Sequence, residues 1–133
     1  MKTLTIGKVA KTAGVGIETI RFYERQELID PPPRNSSGYR QYPDTAIQRL
    51  RFIRRAKELG FSLKEIKELL ELHADPQATC SDIKQRAELK LADINKRIDD
   101  LEKMRVALQV LLASCSSNGT SIECPIMQAI TRE

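Results

Sequence analysis

Apolar residues recur along this chain at helical spacing and are interrupted at a few defined points. In residues 5–13 (TIGKVAKTA), Ile6, Val9 and Ala10 fall on one face, and Gly14 breaks the pattern. A second pattern over 16–26 turns Ile17, Ile20 and one edge of Tyr23 inward, with Phe22 expected in the core, and leaves Glu18, Thr19 and Arg21 outward. Two short helices joined by a glycine-containing turn make a helix-turn-helix. Residues 30–43 (DPPPRNSSGYRQYP) are incompatible with a helix: three prolines fix an extended entry, Asn35 to Gly38 form a turn, and Tyr39 to Tyr42 can pair back as a short hairpin.

Asp44 is then expected to cap a helix over about 45–59, with Ile47, Leu50, Ile53 and Ala56 inward and arginines and Lys57 around the rest, ended by Gly60. A further helix opens at Ser62 or Leu63 and runs to about 72 on Ile66, Leu69 and Leu70. Thr79-Cys80-Ser81-Asp82 has the form of a capping box, and no Gly or Pro follows until after Ala113. Along that stretch Ile83, Ala87, Leu91, Ile94, Ile98, Leu101, Met104, Leu108 and Leu111 form one apolar seam at steps of 3 and 4. A helix of that length, roughly 50 Å at 1.5 Å per residue, has too little to pack against within a chain this size, so the seam predicts a second copy. One turn of helix is expected after Pro125.

Composition narrows the function. With 133 residues, no Trp and 30% charged residues, the chain has the solvated faces of a helical protein rather than the lining of a catalytic pocket. Charge is uneven: residues 1–72 carry 14 Lys/Arg against 9 Asp/Glu, and residues 73–133 carry 8 against 9. The basic half is the one that contains the helix-turn-helix, a weak but consistent footprint for nucleic acid. No apolar run approaches the roughly 20 residues of a membrane span and no signal-peptide core is seen, so a cytoplasmic chain is expected. There Cys80, Cys115 and Cys124 stay as thiols, and their odd number argues against a disulfide framework.

An outward Arg21 near the start of the second helix can reach guanine edges, while Tyr23, Tyr39 and Arg40 suit phosphates. Thr19 and Arg34 complete the set of candidate DNA contacts. Arg54 and Arg55 are expected to be solvated. Most lone cysteines are small buried filler, but Cys115 and Cys124 bracket a loop of Ser, Asn, Gly and Thr, where two thiols can fold onto one ion. Cys80 stands at the first turn of the long helix, where the positive end of the helix dipole favours the ligating thiolate. Three thiols without a histidine select a soft cation, and the single histidine, His73, is expected at the surface. A cysteine with a histidine can also form a nucleophile pair, but nothing places His73 beside a cysteine, and no phosphate loop or carboxylate pair accompanies them. No enzyme is expected.

The order Ile20-Arg21-Phe22-Tyr23-Glu24, then Gly38-Tyr39-Arg40, then Gly60-Phe61-Ser62-Leu63-Lys64-Glu65-Ile66 resembles the MerR family of bacterial regulators over nearly the whole chain. The resemblance implies a mainly α fold: a winged helix-turn-helix DNA-binding domain over 1–72, with wings at 35–42 and 60–70. A linker and long antiparallel coiled-coil dimerisation helix over 73–113 follow, then a metal-binding loop and tail over 114–133. It further implies a homodimer on an inverted-repeat promoter, acting on RNA polymerase by distorting the DNA. Cys80 and Cys115 lie 35 residues apart at opposite ends of one helix, too far to share an ion within a chain. Antiparallel pairing removes the difficulty by setting Cys80 of one subunit beside Cys115 and Cys124 of the other. The spacing 80, 115, 124 is similar to that of mercury-responsive family members, which implies Hg(II) as the inducing ligand at these three cysteines. Cadmium, lead or zinc, and a thiol redox sensor, are the alternatives.

Overall fold

A computed structural model describes residues 3–32, 41–116 and 118–132. The fold is mainly α, as expected. The order is β1 (Thr3–Leu4), α1 (Ile6–Ala13), α2 (Ile17–Arg25), β2 (Tyr42–Pro43), α3 (Thr45–Glu58), α4 (Leu63–Ala74), α5 (Cys80–Ala113), a 3-10 turn (Ser121–Glu123) and α6 (Pro125–Thr131). The chain divides into two units, 1–87 and 88–133.

In the first unit each helix end has a local chemical cause. Thr5 starts α1 by accepting a hydrogen bond from the Lys8 N–H at 3.3 Å. Gly14 ends it in the left-handed region, φ 74°, with its N–H donating to the Ala10 carbonyl. That left-handed backbone is what favours glycine there; a Cβ would also stand 2.6 Å from Nη1 of Arg54, the movable end of a long side chain. That guanidinium donates to the Ala13 carbonyl at 3.5 Å, so α3 holds the turn of the helix-turn-helix from behind. Gly60, at φ 96°, ends the run of α3. Ser62 and Glu65 then form a reciprocal capping box at α4, the Glu65 N–H donating to Ser62 Oγ at 3.1 Å and the Ser62 N–H to Glu65 Oε1 at 2.8 Å. Thr79 and Asp82 repeat the device at the head of α5, with bonds of 2.8 and 3.3 Å. Asp44 departs from expectation. It stands at the N-cap of α3, but its own backbone is already helical (φ −55°, ψ −32°), and its side chain makes no capping bond.

The core gathers Val9, Ile20, Leu28, Tyr42, Leu50, Ile53 and Ile66, all fully buried. Ile6 and Ile47, expected inward, are partly buried against it. Two residues of α2 depart from the sequence reading: Ile17 and Phe22 are each 38% exposed. Ile20 and Tyr23, three apart, take the one face of α2 that meets the core. Phe22 lies two residues, about 200° around the helix, from Ile20. It leans instead on Tyr23, ring centroids 5.9 Å apart. The strand pairing also differs from expectation. Tyr42 and Pro43 pair antiparallel with the N-terminal strand, Leu4 opposite Tyr42 and Thr3 opposite Pro43. Residues 33–40, which carry the rest of the expected hairpin, lie outside the described residues.

The second unit consists of the greater part of α5 and the tail. Its apolar residues remain at the surface of the single chain, Leu101 at 62% exposure, while acid–base pairs lace the polar side: Arg97 to Asp93 at 3.2 Å and Arg105 to Glu102 at 2.8 Å. Past Gly119 (φ 102°) the chain makes the 3-10 turn and then α6, with Pro125 at its first position. α6 is seven residues long, rather than the single turn expected. No helix among the described residues is long and apolar enough to cross a membrane.

Candidate functional site

The three cysteines remain free thiols, and the second unit brings two of them together. Cys115 lies just beyond the end of α5 and Cys124 immediately before α6, and their sulfurs are 3.9 Å apart, both half-buried. The turn at 121–123 and the Pro125 start of α6 fold the loop back so that nine residues of chain return to the same point. The Cys124 sulfur makes no capping bond of ordinary length. It nevertheless lies before the unpaired N–H groups of Met127 and Ile126, which hold its thiol below the usual range; partial burial opposes this, and Cys115 adds a smaller lowering. Cys80 is the first residue of α5 and is exposed. It does not join the pair: no group of three or more His, Cys, Asp or Glu that could hold a metal ion is found among the described residues. His73 is exposed, as expected.

The candidate DNA contacts fall on α2 and on residues 33–40. Arg21 is exposed and pairs with Glu18 one turn earlier at 3.2 Å; an exposed pair of this kind is weak, so the guanidinium is readily released. Thr19 is half-buried beside it. Tyr23 is only 5% exposed, and burial pushes its phenol up, which keeps it protonated. It is a core residue first and the least available of the set. Arg34, Tyr39 and Arg40 lie outside the described residues. Arg54 and Arg55 are more than half exposed and share Glu58, at 3.6 and 3.3 Å, but Arg54 also has the structural bond to Ala13 described above. Two residues of this region were not singled out from sequence. Glu24 of α2 accepts a hydrogen bond from the hydroxyl of Tyr42, linking the second helix to β2. Both belong to the patterned segments, yet nothing in a single sequence pairs residues 18 apart.

The family model for the MerR HTH family regulatory protein matches residues 4–72, and the model described as MerR, DNA binding matches residues 47–111. The chain is 41% identical, over 96% of its length and 97% of the relative's, to the mercuric resistance operon regulatory protein of Bacillus cereus. Among solved structures it is similar to the dual function transcriptional regulator MerR of Bacillus megaterium MB1 in complex with mercury(II). That match has 38% identity and a TM-score of 0.75, covering 97% of this chain and 100% of that one. It also resembles the transcription regulator PbrR691 of Ralstonia metallidurans CH34 in complex with lead(II). There the identity is 31% and the TM-score 0.86, with 96% and 99% of the two chains covered.

Proposed function

Since the chain belongs to the MerR family of helix-turn-helix regulatory proteins, we propose that it is a mercury-responsive transcription regulator acting as a cytoplasmic homodimer. It binds an inverted-repeat promoter operator, represses without metal, and activates by distorting the DNA for RNA polymerase when Hg(II) binds. The observation that carries this reading is the Cys115–Cys124 pair, two free sulfurs held 3.9 Å apart in a polar loop. The donor set fits a soft thiophilic ion: residues 116–123 contain no histidine, and the sulfurs of Cys115 and Cys124 are soft donors. The mercury(II) complex formed by a structural neighbour supports the choice of ion.

Two thiols leave a third ligand to be found, and Cys80 of the partner subunit supplies it. The exposed seam on α5, from Leu91 through Leu101 to Leu108, supports an antiparallel pairing of two chains. In that arrangement the start of one long helix meets the end of the other, giving two sites per dimer. Bound Hg(II) supplies one soft Lewis-acid centre shared by three thiolates. The chain's own part is to tie the 114–124 loop of one subunit to the head of the other's helix, which leads back to the DNA-binding domain. A small rotation there changes twist and bend at both half-sites without releasing the DNA. On the DNA, Arg21 faces base edges and Tyr39 and Arg40 serve phosphates, with Thr19 and Arg34 completing the contact set; Tyr23, buried in the core, contributes least.

The lead(II) complex of the second structural neighbour favours lead(II) as an alternative inducer for the same three sulfurs. Both readings share one test of the site. A heterodimer of a Cys80→Ala chain with a Cys115→Ala/Cys124→Ala chain retains one complete three-sulfur site and is expected to bind one Hg(II) through three sulfurs by X-ray absorption. Either mutant homodimer binds through fewer. Absence of a three-sulfur site in the isolated heterodimer would falsify the intersubunit arrangement, and stronger induction of a reporter by lead(II) than by mercury(II) would reassign the ion.

A further inference from the structure

We infer that Glu24 and Tyr42 are positioning residues for DNA reading: the hydrogen bond between them fixes α2, which carries Arg21, against β2. The inference rests on the DNA-binding reading above, and neither residue is required to touch DNA. Tyr42 is only 1% exposed and packs in the core, where its hydroxyl donates to Oε1 of the half-buried Glu24. Its backbone is held independently, opposite Leu4 in the two-stranded sheet. The phenol is therefore a fixed post, and a carboxylate on α2 is fastened to it.

For packing alone, a phenylalanine at 42 and an uncharged residue at 24 would serve as well. Drawing a carboxylate out of water has a cost that its hydrogen bonds largely offset rather than exceed. What a charge-assisted O–H to carboxylate bond adds is direction, because it tolerates little change in distance or angle. Glu24 is three residues past Arg21, one turn along the same helix, so the bond fixes how far α2 is rotated and hence where Arg21 projects. Tyr42 is two residues past Arg40 in the chain. One hydrogen bond thus sets the proposed base-reading helix against β2, the strand that follows the proposed phosphate contacts in the chain, and simultaneous engagement of a groove and its flanking backbone demands such register.

The test uses the full-length metal-free protein and, as probe, the duplex that the wild type enriches from a randomised pool, together with single-base-pair variants of it. Tyr42→Phe keeps the buried ring and removes the donor, Glu24→Ala removes the acceptor, and Glu24→Gln keeps an acceptor oxygen. Both bond-breaking variants are expected to lose discrimination between matched and mismatched duplexes by about fivefold or more and to flatten the salt dependence by about one phosphate contact. Glu24→Gln should stay near wild type in both. A merely structural role would lower the melting temperature and leave discrimination and salt slope unchanged; that result in either folded variant overturns the inference. If the wild type enriches no sequence at all, the DNA-binding reading fails and takes this one with it. Enrichment by the wild type with unchanged variants sinks the positioning role alone.

Discussion

The two units of this chain solve the burial of apolar surface in opposite ways. Residues 1–87 close a core on themselves: Val9, Ile20, Leu50, Ile53 and Ile66 have no exposed surface at all. Among the described residues of 88–133 no large apolar side chain is fully buried, and Leu101, Val110 and Leu112 are all more than three-fifths exposed. The same kinds of residue thus do different work. In the first unit their spacing closes a core, and in the second it leaves an apolar surface, the one that the proposed dimer would cover.

The contrast is sharpest under mutation. Ile53→Ala opens a cavity in a filled core and is expected to cost about 2 to 5 kcal/mol in the unfolding of the first unit, measured by denaturant titration of the metal-free protein. Leu101→Ala removes a side chain that is 62% exposed and lies outside that core, so it should leave that unfolding unchanged. It should instead weaken self-association by about 2 kcal/mol per subunit, as read by sedimentation equilibrium. If Leu101→Ala unfolds the first unit, or leaves association untouched, the division of labour between the two regions is wrong.

The smallest effect concerns Cys124. Backbone N–H groups at the start of α6 stabilise its thiolate, so its folded pKa is depressed. The sign follows from that: the folded state's advantage is present above the ordinary thiol pKa and is lost as pH falls through the lowered folded value. Alkylation of Cys124, followed by mass spectrometry, should therefore persist to lower pH in the folded protein than in the same chain unfolded in urea. A folded midpoint equal to or above the unfolded one would remove the N–H groups from the account.

How far the sequence foretold this structure varies with the range of the interaction. Gly14, Gly60, the Thr79/Asp82 cap and the steps of the α5 seam act within a turn or two of helix, and each is legible because its partner is close in the chain. The pairing of Thr3–Leu4 with Tyr42–Pro43 was not legible, since strands of two residues have no periodicity to read. Phe22 was misplaced because its type suggests the core while its angle about α2 points away from it. At the thiol site, the sequence placed Cys115 and Cys124 together through the polar loop between them. The 3-10 turn just ahead of Cys124, in the loop whose two sulfurs lie 3.9 Å apart, follows from backbone geometry that no residue type announces.

That short sulfur–sulfur distance has a kinetic meaning as well as a chemical one. Closing nine residues of flexible chain to bring its ends together costs on the order of 2 kcal/mol, and here the fold has met that cost before any ion arrives. On the proposed reading, a metal ion captured by either sulfur of the loop would find the other at high effective concentration. Capture would then be a local event within one subunit, separate from any step in the proposed mechanism that requires two.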